Sequence, residues 1–271
     1  MTATSDPALA DVASEALPSS LAITRDVFLG DRLTLSQPLK GYRAGVDAVL
    51  LAASVRFETG PGSRVLDVGA GVGTVGLCVA ARLAQAAVVL YERAPELVAL
   101  AHTNIAANGL LERVAVVAGD VAISSENLAS LGLSPETFDC TVANPPFHDV
   151  DAGICAADPL KAGSHAMAAD DLDTWVRFMA RMLRPGGRAS MIHKAEALPR
   201  ILKCLEARFG GITVLPVMAR AGEPAIRVLV EGTKGSRAPL ILKSPFVLQG
   251  AGQSFTPEAE AILRHGAGLT P

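Results

Sequence analysis

A chain of 271 residues is long enough to bury one large core, and a content of 50% hydrophobic and 19% charged residues reads as a globular protein rather than a disordered or fibrous one. A net charge of −3 excludes a uniformly basic nucleic-acid binder. Four cysteines without C-x-x-C spacing and five scattered histidines exclude a structural metal site and point to buried thiols in a reducing compartment.

Residues 1–20 mix alanine with serine, Asp6, Asp11 and Glu15, with no basic region ahead of an apolar one, so they read as a disordered tail and not a signal peptide. No run approaches the roughly 18 apolar residues of a membrane span, and the expected location is cytoplasmic. A hairpin-like stretch over 26–36 precedes a helix near 46–55, with Tyr42 and Arg43 between them. The first buried strand, Arg64-Val65-Leu66-Asp67-Val68, runs into Gly69-Ala70-Gly71-Val72-Gly73 and an apolar helix over 75–83. Glycines let backbone approach a ligand, and the helix N-terminus offers free N–H groups, so this is a nucleotide-binding turn.

The second strand, 87–91, ends at Glu92, placed to accept from ribose hydroxyls, and a helix over 95–107 ends at the left-handed cap Asn108-Gly109. The third strand, 114–117, leads to Asp120, placed to accept from an adenine amino group. The fourth, 138–143, ends at Asn144. Four consecutive strands thus carry a polar group at their C-terminal edge, where open α/β sheets bind ligands. Gly71, Gly73 and Gly76 also satisfy G-x-G-x-x-G, so a nicotinamide enzyme is an alternative. Against it, Asp67 sits two residues before the first glycine, where a carboxylate meets an ammonium but repels a pyrophosphate.

Asn144-Pro145-Pro146-Phe147 is the most informative stretch. A conjugated NH2 is a poor nucleophile, because its lone pair is delocalised, so an enzyme that alkylates it must hold the nitrogen in line with the donor. The Asn144 side-chain oxygen and the Pro145 carbonyl can each accept one N–H, and Pro145 and Pro146 stiffen the turn that carries them. Phe147 offers a face for a flat base. The plainer alternative is a tight turn leaving a strand, with Phe147 in the core.

Taken together, these stretches resemble the class I S-adenosylmethionine-dependent methyltransferases, within them the small methyltransferase domain group, and more closely the bacterial tRNA-Val adenosine-37 N6-methyltransferases. The closer resemblance rests on residues 37–51, the Asn144 motif, and residues 220–239, and spans about 24–248. It implies S-adenosylmethionine bound by Asp67, Gly69, Gly71, Gly73, Glu92, Asp120 and Asn144. It also implies a lid role for Tyr42 and Arg43, although Tyr42 serves equally as an anchor for the following helix. His148 departs from the pattern, since Asn-Pro-Pro-Phe-His is similar to the rRNA guanine N2-methyltransferases. Protein glutamine N5-methyltransferases share the Asn-Pro-Pro-aromatic motif, and a cofactor-binding RNA module without turnover is the non-enzyme alternative.

Further along, 149–170 reads as a long loop, 171–183 as a helix stopped by Arg184-Pro185-Gly186-Gly187, 188–193 as the fifth strand and 196–209 as a helix. Residues 212–218 and 225–230 form a reversed final hairpin around Gly222-Glu223-Pro224. Charge is uneven: residues 1–176 carry 10 basic and 21 acidic residues, a balance of −11, and residues 177–271 carry 14 and 6, a balance of +8. Arg220, Arg227, Lys234 and Arg237 are therefore the candidate RNA contacts, with tRNA as the expected partner and rRNA the alternative. The expectation is a Rossmann-like α/β open sheet of seven strands with a reversed C-terminal hairpin. Residues 1–20 are its tail, 21–248 the methyltransferase domain with an N-terminal lid, and 249–271 a C-terminal tail with a short helix.

Overall fold

The computed structural model describes residues 22–40, 43–56, 62–146, 171–250, 252 and 254–269. Tyr42, Phe147, His148 and residues 149–170, expected as a loop, lie outside the described residues.

Near-continuous apolar runs form the central parallel strands, as sequences buried on both faces do. They are β3 (Arg64–Val68), β4 (Ala87–Glu92), β5 (Val114–Ala118) and β6 (Phe138–Ala143), joined by β7 (Leu183–Lys194), whose buried part is Ala189–Ile192. The hairpin of β8 (Phe209–Arg220) and β9 (Ala225–Lys234) completes the main sheet in the order β8-β9-β7-β6-β3-β4-β5. β9 is antiparallel to both neighbours. Two short strands, β10 (Ile241–Leu242) and β11 (Phe246–Gln249), pair parallel to β8, so among the described residues the sheet has nine strands rather than the expected seven. β10 is two residues long and β11 four, too short to stand out in the sequence.

Helices cover both faces. Under α1 (Val46–Ser54), α2 (Thr74–Arg82) and α3 (Pro95–Ala107) lies one core, built on Leu51, Leu77, Val65 and Ile105. On the other face, α4 (Ser125–Ser130), α5 (Asp171–Met182) and α6 (Leu198–Glu206) cover a second core around Leu66, Val68, Phe138 and Phe178. The segment expected as a C-terminal tail packs onto the first core. Its helix α7 (Pro257–His265) buries Ala259 and Ile262, and Arg82 donates to the Gly266 carbonyl at 3.0 Å.

Ahead of the sheet, β1 (Ile23–Phe28) and β2 (Leu33–Pro38) form an antiparallel hairpin. A two-stranded hairpin is marginal in water on its own. Here Leu33 and Leu35 are buried in the first core, and α3 supplies a further edge described below. Asp26, Gln37 and Arg43 form one network: Arg43 donates to both Asp26 oxygens at 2.7 Å, and the Gln37 amide donates to Asp26 at 3.0 Å and accepts from the Ala44 N–H at 2.9 Å. These bonds lead the chain from the hairpin into α1.

Candidate active site

The turn from β3 into α2 is held from several sides. Gly69 and Ala70 donate to the Tyr91 carbonyl at 2.8 and 3.0 Å, and Gly73 donates to the Ala70 carbonyl at 2.9 Å. Gly71 donates to Glu92 at 2.8 Å. The left-handed φ values of Gly69 (66°), Gly71 (58°) and Gly73 (90°) explain the residue type. Gly69 has a second reason, because a Cβ there would lie 2.2 Å from the Trp175 ring. Around Gly71, by contrast, a Cβ would meet nothing within 4 Å. Open space therefore stands against the exposed side of the loop, as a cradle for a small molecule requires.

The expected cofactor ligands gather here. Glu92 is buried, and its second oxygen accepts from the N–H groups of Arg93 and Ala94 at 2.9 Å. A carboxylate has about four acceptor sites and three are filled here, so one ribose hydroxyl remains within its capacity. Asp120, with its side chain 48% exposed, caps its own turn by accepting from Ala122 N–H at 2.9 Å. Behind it, Tyr91 donates to the Asp120 carbonyl at 2.9 Å, and a Cβ on Gly119 would strike the Tyr91 hydroxyl at 2.4 Å. The approach of β5 to this edge thus needs a glycine just before Asp120.

Asp67 lies beneath the loop rather than on its surface. It is 1% exposed and accepts from the Gly76 N–H at 2.8 Å, joining β3 to α2. Burial pushes its carboxyl up to about 7, against the lowering effect of the Gly76 bond and with a smaller push from Glu92. A positive charge in the cradle would favour its ionised form. Arg43 is ion-paired with Asp26, which places it in the hairpin network.

Val68, at the end of β3, pairs with Ala143 at the end of β6. Asn144 and Pro145 therefore leave the sheet on the strand beside the glycine loop, with the Asn144 side-chain oxygen buried. Two residues with no assigned role in the sequence border this edge. Trp175 of α5 covers Gly69, and its indole N–H is buried with no hydrogen-bond partner among the described residues. His193 lies two residues beyond Met191, the partner of Ala143 in β7. Burial, opposed by a hydrogen bond with the Lys194 backbone and reinforced by repulsion from Arg200, Lys194 and Arg227, holds its imidazole down at about 4, so it is neutral at physiological pH. The one signal for Trp175 was its being the single tryptophan of the chain.

The four candidate RNA contacts do not come together. β9 runs against its neighbours, so Arg227 at its start lies at the ligand-binding edge and Lys234 at its end lies at the opposite one, about 24 Å away for seven strand residues. Lys234 is bound to Glu136 at 2.8 Å and to the Leu183 carbonyl at 2.7 Å, and the Arg237 backbone lies beside Gly210 at the start of β8. Arg220, at the end of β8, and Arg227 share the ligand-binding edge, Arg227 donating to Asp47 at 2.8 Å. Among the described residues no group of His, Cys, Asp and Glu has the geometry to hold a metal ion, and no helix is long and apolar enough to cross a membrane. Cys78 and Cys140 are buried, each thiol pushed up to about 12 chiefly by burial.

Comparison with known proteins places the chain in a family. The family model described as "Methyltransferase small domain" matches residues 46–217. The chain is similar to the tRNA1(Val) (adenine(37)-N6)-methyltransferase of Porphyromonas gingivalis, 31% identical over 176 residues, 64% of this chain and 67% of that protein. It is also similar to the release factor glutamine methyltransferase of Gloeobacter violaceus, 29% identical over 65% of this chain and 61% of that protein. Among solved structures, a predicted O-methyltransferase from Agrobacterium tumefaciens superposes with a TM-score of 0.68 at 30% identity, covering 82% of this chain and 98% of its own.

Proposed function

This chain belongs to the methyltransferase small-domain family and is an S-adenosylmethionine-dependent methyltransferase, and on that premise we propose that it methylates the exocyclic N6 of adenine in tRNA. The observation that carries the proposal is the pairing of β3 with β6, which puts Asn144 and Pro145 beside the glycine loop. Loop backbone, Glu92 and Asp120 hold the cofactor, and Asp67 supports the loop from below. When bound, the cofactor supplies an electrophilic methyl group on a sulfonium sulfur. The Asn144 oxygen and the Pro145 carbonyl accept the two N–H bonds of the target amine and hold its lone pair in line with that methyl. Attack would form the N–C bond as the C–S bond breaks, with the neutral thioether S-adenosylhomocysteine leaving and the acidic ammonium losing its proton to water. Phe147, the aromatic residue of the motif, would supply the face on which the flipped base stacks.

The relatives named for adenine 37 of tRNA support tRNA as the substrate. An unpaired anticodon-loop adenine also leaves its stack more cheaply than one in a duplex. The glutamine methyltransferase relative favours a second reading, transfer to a protein amide, which the same two acceptors would also hold. Incubation of cell extract lacking the enzyme with the purified protein and methyl-labelled S-adenosylmethionine separates the two. The proposal expects label that ribonuclease removes and protease spares, and the reverse pattern defeats it.

A further inference from the structure

Asn104, one turn before the end of α3, is 1% exposed and satisfies every polar atom of its amide. Its oxygen accepts from the Ser36 N–H at 2.7 Å, and its NH2 donates to the Ser36 carbonyl at 3.1 Å and to the Val72 carbonyl at 3.0 Å. One turn on, Asn108 repeats the first half of this pattern, accepting from the Thr34 N–H at 3.0 Å and donating to the Thr34 carbonyl at 2.9 Å. Residues four apart on a helix and two apart on a strand have nearly the same spacing, about 6 Å and 7 Å. The two amides therefore take the place of a neighbouring strand along the free edge of β2. The difference between them is Val72. It lies inside the glycine loop, and the Val72–Gly73 peptide is gripped at both ends, its carbonyl by Asn104 and its N–H by the Ala70 carbonyl.

We propose that Asn104 is a positioning residue for S-adenosylmethionine, locking the glycine loop to the N-terminal hairpin so that the cradle is formed before the cofactor arrives. The inference rests on the reading of that loop as the cofactor site. Asn104 touches no cofactor atom in this account. It acts by removing a rotation of the Val72–Gly73 peptide that binding would otherwise have to freeze, and a preorganised site binds more tightly for that reason.

Asn108 provides the control, because it docks the same hairpin without touching the loop. Asn104→Ala should weaken S-adenosylmethionine binding by on the order of tenfold, the worth of one buried hydrogen bond, measured by calorimetry on the full chain. At saturating cofactor its kcat should stay within about threefold of the parent, since the amine acceptors are untouched. Asn108→Ala should lower the melting temperature as the hairpin loosens while changing cofactor affinity by less than about twofold. If Asn104→Ala does not fold, Asn104→Ser puts a small neutral hydroxyl in its place, too short to bridge Ser36 and Val72 together, and the same loss of affinity is expected. Equal affinity losses in the Asn104 and Asn108 variants, or none in either Asn104 variant, would overturn the inference. Gly71→Ala separates it from the underlying reading. If that variant loses affinity and the Asn104 variants do not, the cradle stands and the positioning role fails; if neither loses affinity, both fail together.

Discussion

Gly71→Ala tests the cradle with little disturbance to the protein around it. Gly71 has φ +58°, and an added Cβ would meet no protein atom within 4 Å. The cost to the unliganded fold is then the left-handed backbone alone, about 1–2 kcal/mol. Gly109, the residue that ends α3, is its twin: φ +66° and again nothing within 4 Å of an added Cβ. Chemical denaturation should therefore show Gly71→Ala and Gly109→Ala destabilised by similar amounts. Calorimetry with S-adenosylmethionine should separate them, because the proposed function gives the space beside Gly71 to the cofactor and leaves the space beside Gly109 to solvent. A methyl group forced into a filled site costs about 1–3 kcal/mol, a loss of roughly five- to more than a hundredfold in affinity. Gly109→Ala should bind like the parent. Equal cofactor affinity in the two variants would refute the assignment of the loop.

Asn144→Ala should cut methyl transfer by roughly a hundredfold while leaving cofactor affinity within a few fold, as expected for an acceptor needed mainly in the transition state, and single-turnover kinetics would read the split. Asp67 gives a pH dependence whose sign follows from its raised carboxyl, about 7 in the fold against an ordinary value of 3.8. The unfolded chain ionises first, so its contribution to stability declines as pH rises from about 4 to about 7 and is constant above. A cationic cofactor favours ionised Asp67, so binding should tighten as pH passes 7, and Asp67→Asn should flatten both profiles in denaturation and calorimetric titrations. Because the basic residues divide between opposite sheet edges, Arg220→Glu should weaken tRNA binding and reduce its salt dependence, whereas Arg237→Glu should leave both unchanged in filter-binding titrations.

Elements whose signals are local were readable before the fold was seen. α3 spans Pro95–Ala107 because proline opens it and Gly109, in the left-handed region, stops it. β3 to β6 declared themselves as apolar runs ending in polar residues. β8 begins earlier than its apolar pattern, at Phe209-Gly210-Gly211, where glycines read as breakers; a Cβ on Gly210 would lie 2.1 Å from the Ser236 carbonyl, so the glycine allows backbone to pass close by. β9 runs past Val230 through Glu231, whose burial is made tolerable by the Arg56 guanidinium at 2.6 Å, 175 residues away. Asn104 was unreadable for the same reason, since its partners lie 68 and 32 residues upstream. The grouping of Lys234 and Arg237 with Arg220 failed because charge counted along a chain ignores strand direction, and one antiparallel strand carries its two ends to opposite sides.

The most direct test of the account is mass spectrometry of nucleosides from tRNA and rRNA after incubation with the purified protein and methyl-labelled S-adenosylmethionine, using RNA from cells that lack the enzyme. The label is expected in N6-methyladenosine from tRNA, lost with Asn144→Ala. Label found only as N2-methylguanosine in rRNA, or no label in any nucleoside of either RNA, would contradict it.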